Sequence, residues 1–105
     1  MEDIIKRLRK FRDDRNWAQF HTPANIAKSI VLESAELLEN YQWDHVEPNI
    51  DNVKDELADI ITYCLMLSDH YGFDLKTILN KKIDKNEKKY PSSKAYGKSD
   101  KYNKL

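Results

Sequence analysis

Glycine is scarce in this 105-residue chain, which has only Gly72 and Gly97. Loops of the G-x-x-x-x-G-K or G-x-G-x-x-G type need closely spaced glycines so that backbone can approach phosphate, and neither can be built here. Any nucleotide chemistry must therefore come from side chains and metal. Cys64 is the single cysteine, which excludes an intrachain disulfide and a cysteine-based zinc site and fits a reduced compartment. No apolar run approaches the length of about eighteen residues that a membrane span requires. The acidic start Met1-Glu2-Asp3 is unlike the basic start of a signal peptide. The expectation is a cytoplasmic chain with no membrane partner.

An excess of one charge is also missing, since 18 Lys plus Arg balance 18 Asp plus Glu. That balance argues against a nucleic-acid partner, but it hides a partition along the chain. From Glu33 to Asp59 nine acids face one base, Lys54, whereas from Lys76 to Lys104 ten lysines face Asp84, Glu87 and Asp100. Two readings are open: the blocks neutralise one another on a solvated surface, or a metal-binding centre lies next to a phosphate-binding flank.

The apolar periodicity is helical throughout. Ile4, Ile5, Leu8 and Phe11 predict an amphipathic helix ending near Arg15, with Asp3 as its cap. Thr22-Pro23 supplies an N-cap and a proline at the first helical position, opening a second helix that runs to about Asn40. Its stripe is Ile26, Ala27, Ile30, Val31, Leu37 and Leu38. Leu32 and Ala35 lie on the opposite side, which suggests burial against another subunit. After a loop over residues 41–49, Ile50, Val53, Leu57, Ile60, Ile61, Cys64, Leu65 and Ser68 mark a third helix stopping at Gly72. Asp74 caps a fourth, with Leu75, Ile78, Leu79 and Ile83 inward, that stops before Tyr90-Pro91. Residues 1–91 read as one domain and residues 92–105 as a polar, irregular tail.

Two acidic pairs lie in the two most apolar helices: Glu33 with Glu36, and Glu56 with Asp59. Each pair is three residues apart, about 60° of arc, so its carboxylates can converge. Spacing alone is weak evidence, because chance gives about three such pairs in a chain with 18 acids among 105 residues. Placement is stronger evidence, because carboxylates beside a core repel one another and resist desolvation unless a cation neutralises them. Hard oxygen donors favour Mg²⁺ or Mn²⁺. A di-iron site would need Glu-x-x-His, but the residues three before His21, His45 and His70 are Ala18, Gln42 and Leu67.

The run W-A-Q-F-H-T-P-A-N from Trp17 to Asn25 is followed by E-S-A-E from Glu33 to Glu36 and Y-Q-W from Tyr41 to Trp43. Beyond these come E-L-A-D from Glu56 to Asp59, Tyr63, and K-x-D-x-N from Lys82 to Asn86. In combination the chain resembles the MazG-like nucleoside triphosphate pyrophosphohydrolases, and within them the small dCTP pyrophosphatase branch. The resemblance implies an all-α, four-helix-bundle-type fold completed by oligomerisation as a homodimer or homotetramer. It implies an Mg²⁺-dependent enzyme, with Mn²⁺ as a substitute, converting a nucleoside triphosphate to monophosphate and pyrophosphate. The substrate would be dCTP or a modified deoxycytidine triphosphate.

Carried onto this chain, Glu33, Glu36, Glu56 and Asp59 become the metal ligands and catalytic carboxylates. His21, Trp17 and Trp43 would contact the base, Tyr63 the sugar or a metal-bound water, and Lys82 and Asn86 the triphosphate. The competing readings are a broad-specificity triphosphate pyrophosphatase, a non-catalytic helical dimerisation module, and a nucleic-acid binder using the Lys-rich third.

Overall fold

In the computed structural model, which describes every residue except Asp44, the chain forms helices and turns, and no strand occurs among the described residues. Asp44, one of the nine acids of the acidic block, lies outside that description. Two compact units divide the chain, residues 1–72 and 73–105.

In the first unit, α1 spans Glu2–Asp14. Met1 is its N-cap, in place of the expected Asp3, which instead joins Glu2 in the first turn. Carboxylates there favour the positive end of the helix dipole without capping it. The chain then reverses at Asn16, which takes φ 53°, a left-handed conformation that Asn adopts more readily than most residues. A 3-10 turn, Ala18–Phe20, follows. Thr22 caps α2 (Pro23–Glu39), its hydroxyl accepting from the Asn25 N–H at 3.2 Å, with Pro23 at the first helical position as predicted. Asn49 caps α3 (Ile50–His70) through the Asn52 N–H at 3.1 Å. The end of α3 is turned by Gly72 at φ 69°, where a side chain would be strained.

The α2 and α3 helices run antiparallel. Where α2 ends and α3 begins, the Asn40 side-chain amide donates to Asn52 Oδ1 at 2.8 Å, and at their opposite ends Ile26 and Met66 share one cleft wall. The α1 helix lies along the second half of α3. Ile5 and Leu8 close on Leu65 and Met66 around a void of only about 10 Å³, and Arg9 Nε donates to both Asp69 carboxylate oxygens at 3.1 and 3.0 Å.

Ile26 and Leu65, each 2% exposed, form the centre of the core. Val31 and Leu38, expected inward, are exposed. They lie about 140° and 120° around α2 from Ile26, outside the face that meets α3. Leu57 and Ile61 are likewise exposed on α3.

The second unit contains α4 (Leu75–Lys89). Asp74 is its N-cap residue, but its carboxylate accepts from the Thr77 hydroxyl at 3.0 Å and makes no capping bond to the backbone. Ile78, Leu79 and Ile83, expected inward, are exposed; within this unit no long helix is present to cover them. The tail is more ordered than expected. It holds the one-turn α5 (Ser92–Ala95) and a 3-10 turn at Tyr102–Lys104. The Tyr102 ring meets Tyr90 edge-on at 6.2 Å, and the Lys89 ammonium lies 4.9 Å from the ring centre, a pair of contacts that anchors the chain end. No helix among the described residues is long and apolar enough to cross a membrane.

Candidate active site

The antiparallel register of α2 and α3 brings Glu33 opposite Glu56 and Asp59. One carboxylate oxygen from each of the three lies within 4.8 Å of the other two. Glu56 is buried, Glu33 half-buried and Asp59 exposed, so the cluster opens from the helix interface toward solvent. Glu36 is exposed beside Glu33, outside this trio.

Crowding of like charges shows in the protonation of these groups. Glu33 is held above the ordinary carboxyl range first by the neighbouring Glu56 carboxyl, then by burial. Glu36 is raised first by contact with Glu33 and then by its charge. For Glu56 the contact with Glu33 opposes the shift, but burial and the charge of Glu36 carry it upward. Repulsion and desolvation both disfavour the ionised forms.

Glu33 Oε2 and Glu56 Oε2 are buried without a hydrogen-bond partner. Buried carboxylate oxygens left in that state are costly. A hard divalent cation would satisfy both oxygens and cancel the repulsion, so the donor set fits such an ion.

Asp59 also forms part of the wall of an adjoining cleft of about 340 Å³, together with Trp17, His21, Thr62, Tyr63 and Met66. That size falls within the usual range of roughly 300–1,000 Å³ for small-molecule sites. Leu8 and Phe11 of α1 complete the apolar side. The Trp17 ring stands edge-on to Phe11 at 5.6 Å and to His21 at 6.4 Å. His21 Nδ1 is buried and has no hydrogen-bond partner. On the other side of His21 and Met66 a second cleft of about 230 Å³ is walled by Arg12, Thr22, Ile26 and His70.

The structure thus gathers Trp17, His21, Asp59 and Tyr63 around one cleft that Asp59 joins to the acidic trio. Trp43 is not among them; with Tyr41 and His45 it lines a separate hollow of about 270 Å³. Lys82 and Asn86 lie one turn apart on α4, both exposed, in the second unit. Thr62 and Met66 were missed by the sequence reading. Their signal was present, since Asp59, Thr62, Tyr63 and Met66 follow the i, i+3, i+4, i+7 spacing of one helix face.

The MazG-like family model matches residues 28–105. Human and rat dCTP pyrophosphatase 1 are each 32% identical to this chain, over all of its length and 67% of theirs. The crystal structure of a pyrophosphatase from Archaeoglobus fulgidus superimposes with a TM-score of 0.77 at 39% identity, covering 87% of this chain and 92% of that one. With the family match extending over most of its length, the chain belongs to the MazG-like family.

Proposed function

We propose that this protein is a nucleotide pyrophosphohydrolase that cleaves dCTP, or a modified deoxycytidine triphosphate, to the monophosphate and pyrophosphate in the cytoplasmic nucleotide pool. The observation that carries the reading is the carboxylate trio Glu33, Glu56 and Asp59, with two buried unpartnered oxygens, opening through Asp59 onto the aromatic cleft. The relatives named dCTP pyrophosphatase support the choice of triphosphate.

In this reading Glu33, Glu56 and Asp59 hold Mg²⁺, for which Mn²⁺ can substitute. The bound ion supplies neutralisation of phosphate charge and a more acidic water. Glu36, in contact with Glu33, adds a fourth carboxylate to the ion-binding set. Trp17 and His21 hold the base with their rings, and the Tyr63 hydroxyl meets the sugar. The Y-Q-W and K-x-D-x-N motifs support roles for Trp43 at the base and for Lys82 and Asn86 at the triphosphate.

Val31, Leu32 and Leu38 on α2, with Leu57 and Ile61 on α3, are 45–68% exposed. Exposed apolar surface of that extent is costly in water. A second copy of the chain covers it in this proposal, giving a homodimer or a homotetramer.

Incubation with a panel of nucleoside triphosphates and Mg²⁺, resolving the products, tests the function. Selective release of dCMP and pyrophosphate is expected. Equal turnover of all bases would mark a broad-specificity enzyme, and no turnover of any triphosphate would overturn the assignment.

A further inference from the structure

His21 sits outside any helix, where the 3-10 turn gives way to φ −92°, ψ 56°. Its N–H bonds to the Ala18 carbonyl at 3.1 Å. Side chains brace the rest of this connection. At its entry the Gln19 amide donates to the Asn16 carbonyl at 2.9 Å. At its exit Asn25 Nδ2 reaches back five residues and donates to the Phe20 carbonyl at 3.0 Å. The Asn25 backbone N–H meanwhile bonds to the Thr22 hydroxyl at 3.2 Å. Asn25 therefore holds both chain neighbours of His21, Phe20 through its side chain and Thr22 through its main chain. It is itself exposed and lines none of the clefts described above.

We propose that Asn25 is a positioning residue, whose side-chain amide fixes the Phe20 carbonyl and so the turn that presents His21 and Trp17 to the cleft. The proposal rests on the nucleotide-binding role given to His21 above. The chemistry requires a donor. Aspartate has the same shape as asparagine but, when ionised, only accepts, so it repels the carbonyl that Asn25 holds. Asn25 is also the third residue of α2, in the first turn, where a carboxylate favours the helix dipole. Asn25→Asp therefore removes the clamp without weakening the helix, which separates positioning from stability.

The experiment compares wild type, Asn25→Asp and Asn25→Ala by steady-state kinetics with dCTP and Mg²⁺, by thermal midpoint, and by amide hydrogen exchange of the nucleotide-free proteins at Phe20 and His21. Asn25→Asp is expected to raise KM about fivefold, the weight of one net hydrogen bond. Its kcat should stay nearly unchanged, its midpoint should equal or exceed wild type, and both amides should exchange faster. Asn25→Ala should shift KM and exchange in the same direction by less, because it lacks the repulsion. Wild-type KM and exchange in Asn25→Asp would overturn the proposal, as would KM changes that simply follow loss of midpoint across the variants. If wild type itself turns over no triphosphate, the proposed function falls separately. Exchange then decides the clamp: faster in Asn25→Asp supports it, unchanged overturns it.

Discussion

Glu33 of α2 and Glu56 of α3 bring carboxylate oxygens within 4.8 Å of each other, and each buries its Oε2 with no hydrogen-bond partner. Two helices joined by a short loop thus place like charges against one another at the edge of a small core. Such an arrangement costs stability unless protons or a cation neutralise it.

The direction of that cost with pH follows from linkage. Glu33, with Glu36 and Glu56, is raised above its ordinary 4.5. Above that pH the unfolded chain has released protons that the folded chain still holds, so metal-free stability falls as pH rises from 4.5 through the raised values. The metal-free thermal midpoint of wild type should therefore drop between about pH 5 and about pH 8 by more than that of Glu33→Gln. Adding Mg²⁺ should narrow the drop in wild type only. An identical pH profile in the two proteins would remove the repulsive cluster from the account.

Asp69 behaves in the opposite sense. Its hydrogen bonds from Arg9 hold its carboxyl below the ordinary 3.8, against the opposing effect of burial. A lowered carboxyl contributes stability that is present above the unfolded value and lost as pH falls through the folded one. Asp69→Asn should be less stable than wild type at neutral pH, with the gap closing below pH 3.8. The loss should be modest because the Arg9 side chain is 43% exposed. Paired thermal melts across the acid range would show it, and a gap independent of pH would point to packing instead.

Core and surface positions should separate cleanly. Leu65 is 2% exposed, and Leu65→Ala should cost about 2–5 kcal/mol in urea unfolding. Leu32 is 63% exposed. Wild type should scatter light as a particle clearly above the single-chain mass of 12.5 kDa, and Leu32→Lys should shift it toward that mass. A wild-type monomer at working concentration would contradict the proposed self-association.

Helix boundaries set by local chemistry were legible in the sequence. The Thr22 cap, Pro23 and the left-handed Gly72 act within a few residues, and the structure places them as the spacing predicts. Features that depend on how helices meet were less so. Val31 and Leu38 belong to a wide apolar stripe on paper, but only its narrower part around Ile26, Ile30 and Leu37 is buried or half-buried. The convergence of Glu33 with Glu56 and Asp59 followed from antiparallel packing of two short-looped helices and was foreseen. The exposure of Glu36 at the rim of that cluster, in contact with Glu33, was not, because rotation about α2 decides it. Thr62 and Met66 escaped notice because α1 creates the cleft they line, and periodicity within α3 says nothing about where α1 crosses. The order in the tail, set by Tyr90, Tyr102 and Lys89, likewise depends on contacts that composition does not reveal.

The central claim is that these carboxylates hold the metal that makes the site a pyrophosphohydrolase. Its most direct test is the Mg²⁺-dependent rate at which wild type, Glu33→Gln and Glu56→Gln release dCMP and pyrophosphate from dCTP. The account predicts release by wild type and a loss of roughly a hundredfold or more in each variant, because the ion's stabilisation of developing charge is removed. Undiminished turnover in either variant, or dCDP and phosphate as the products, would contradict it.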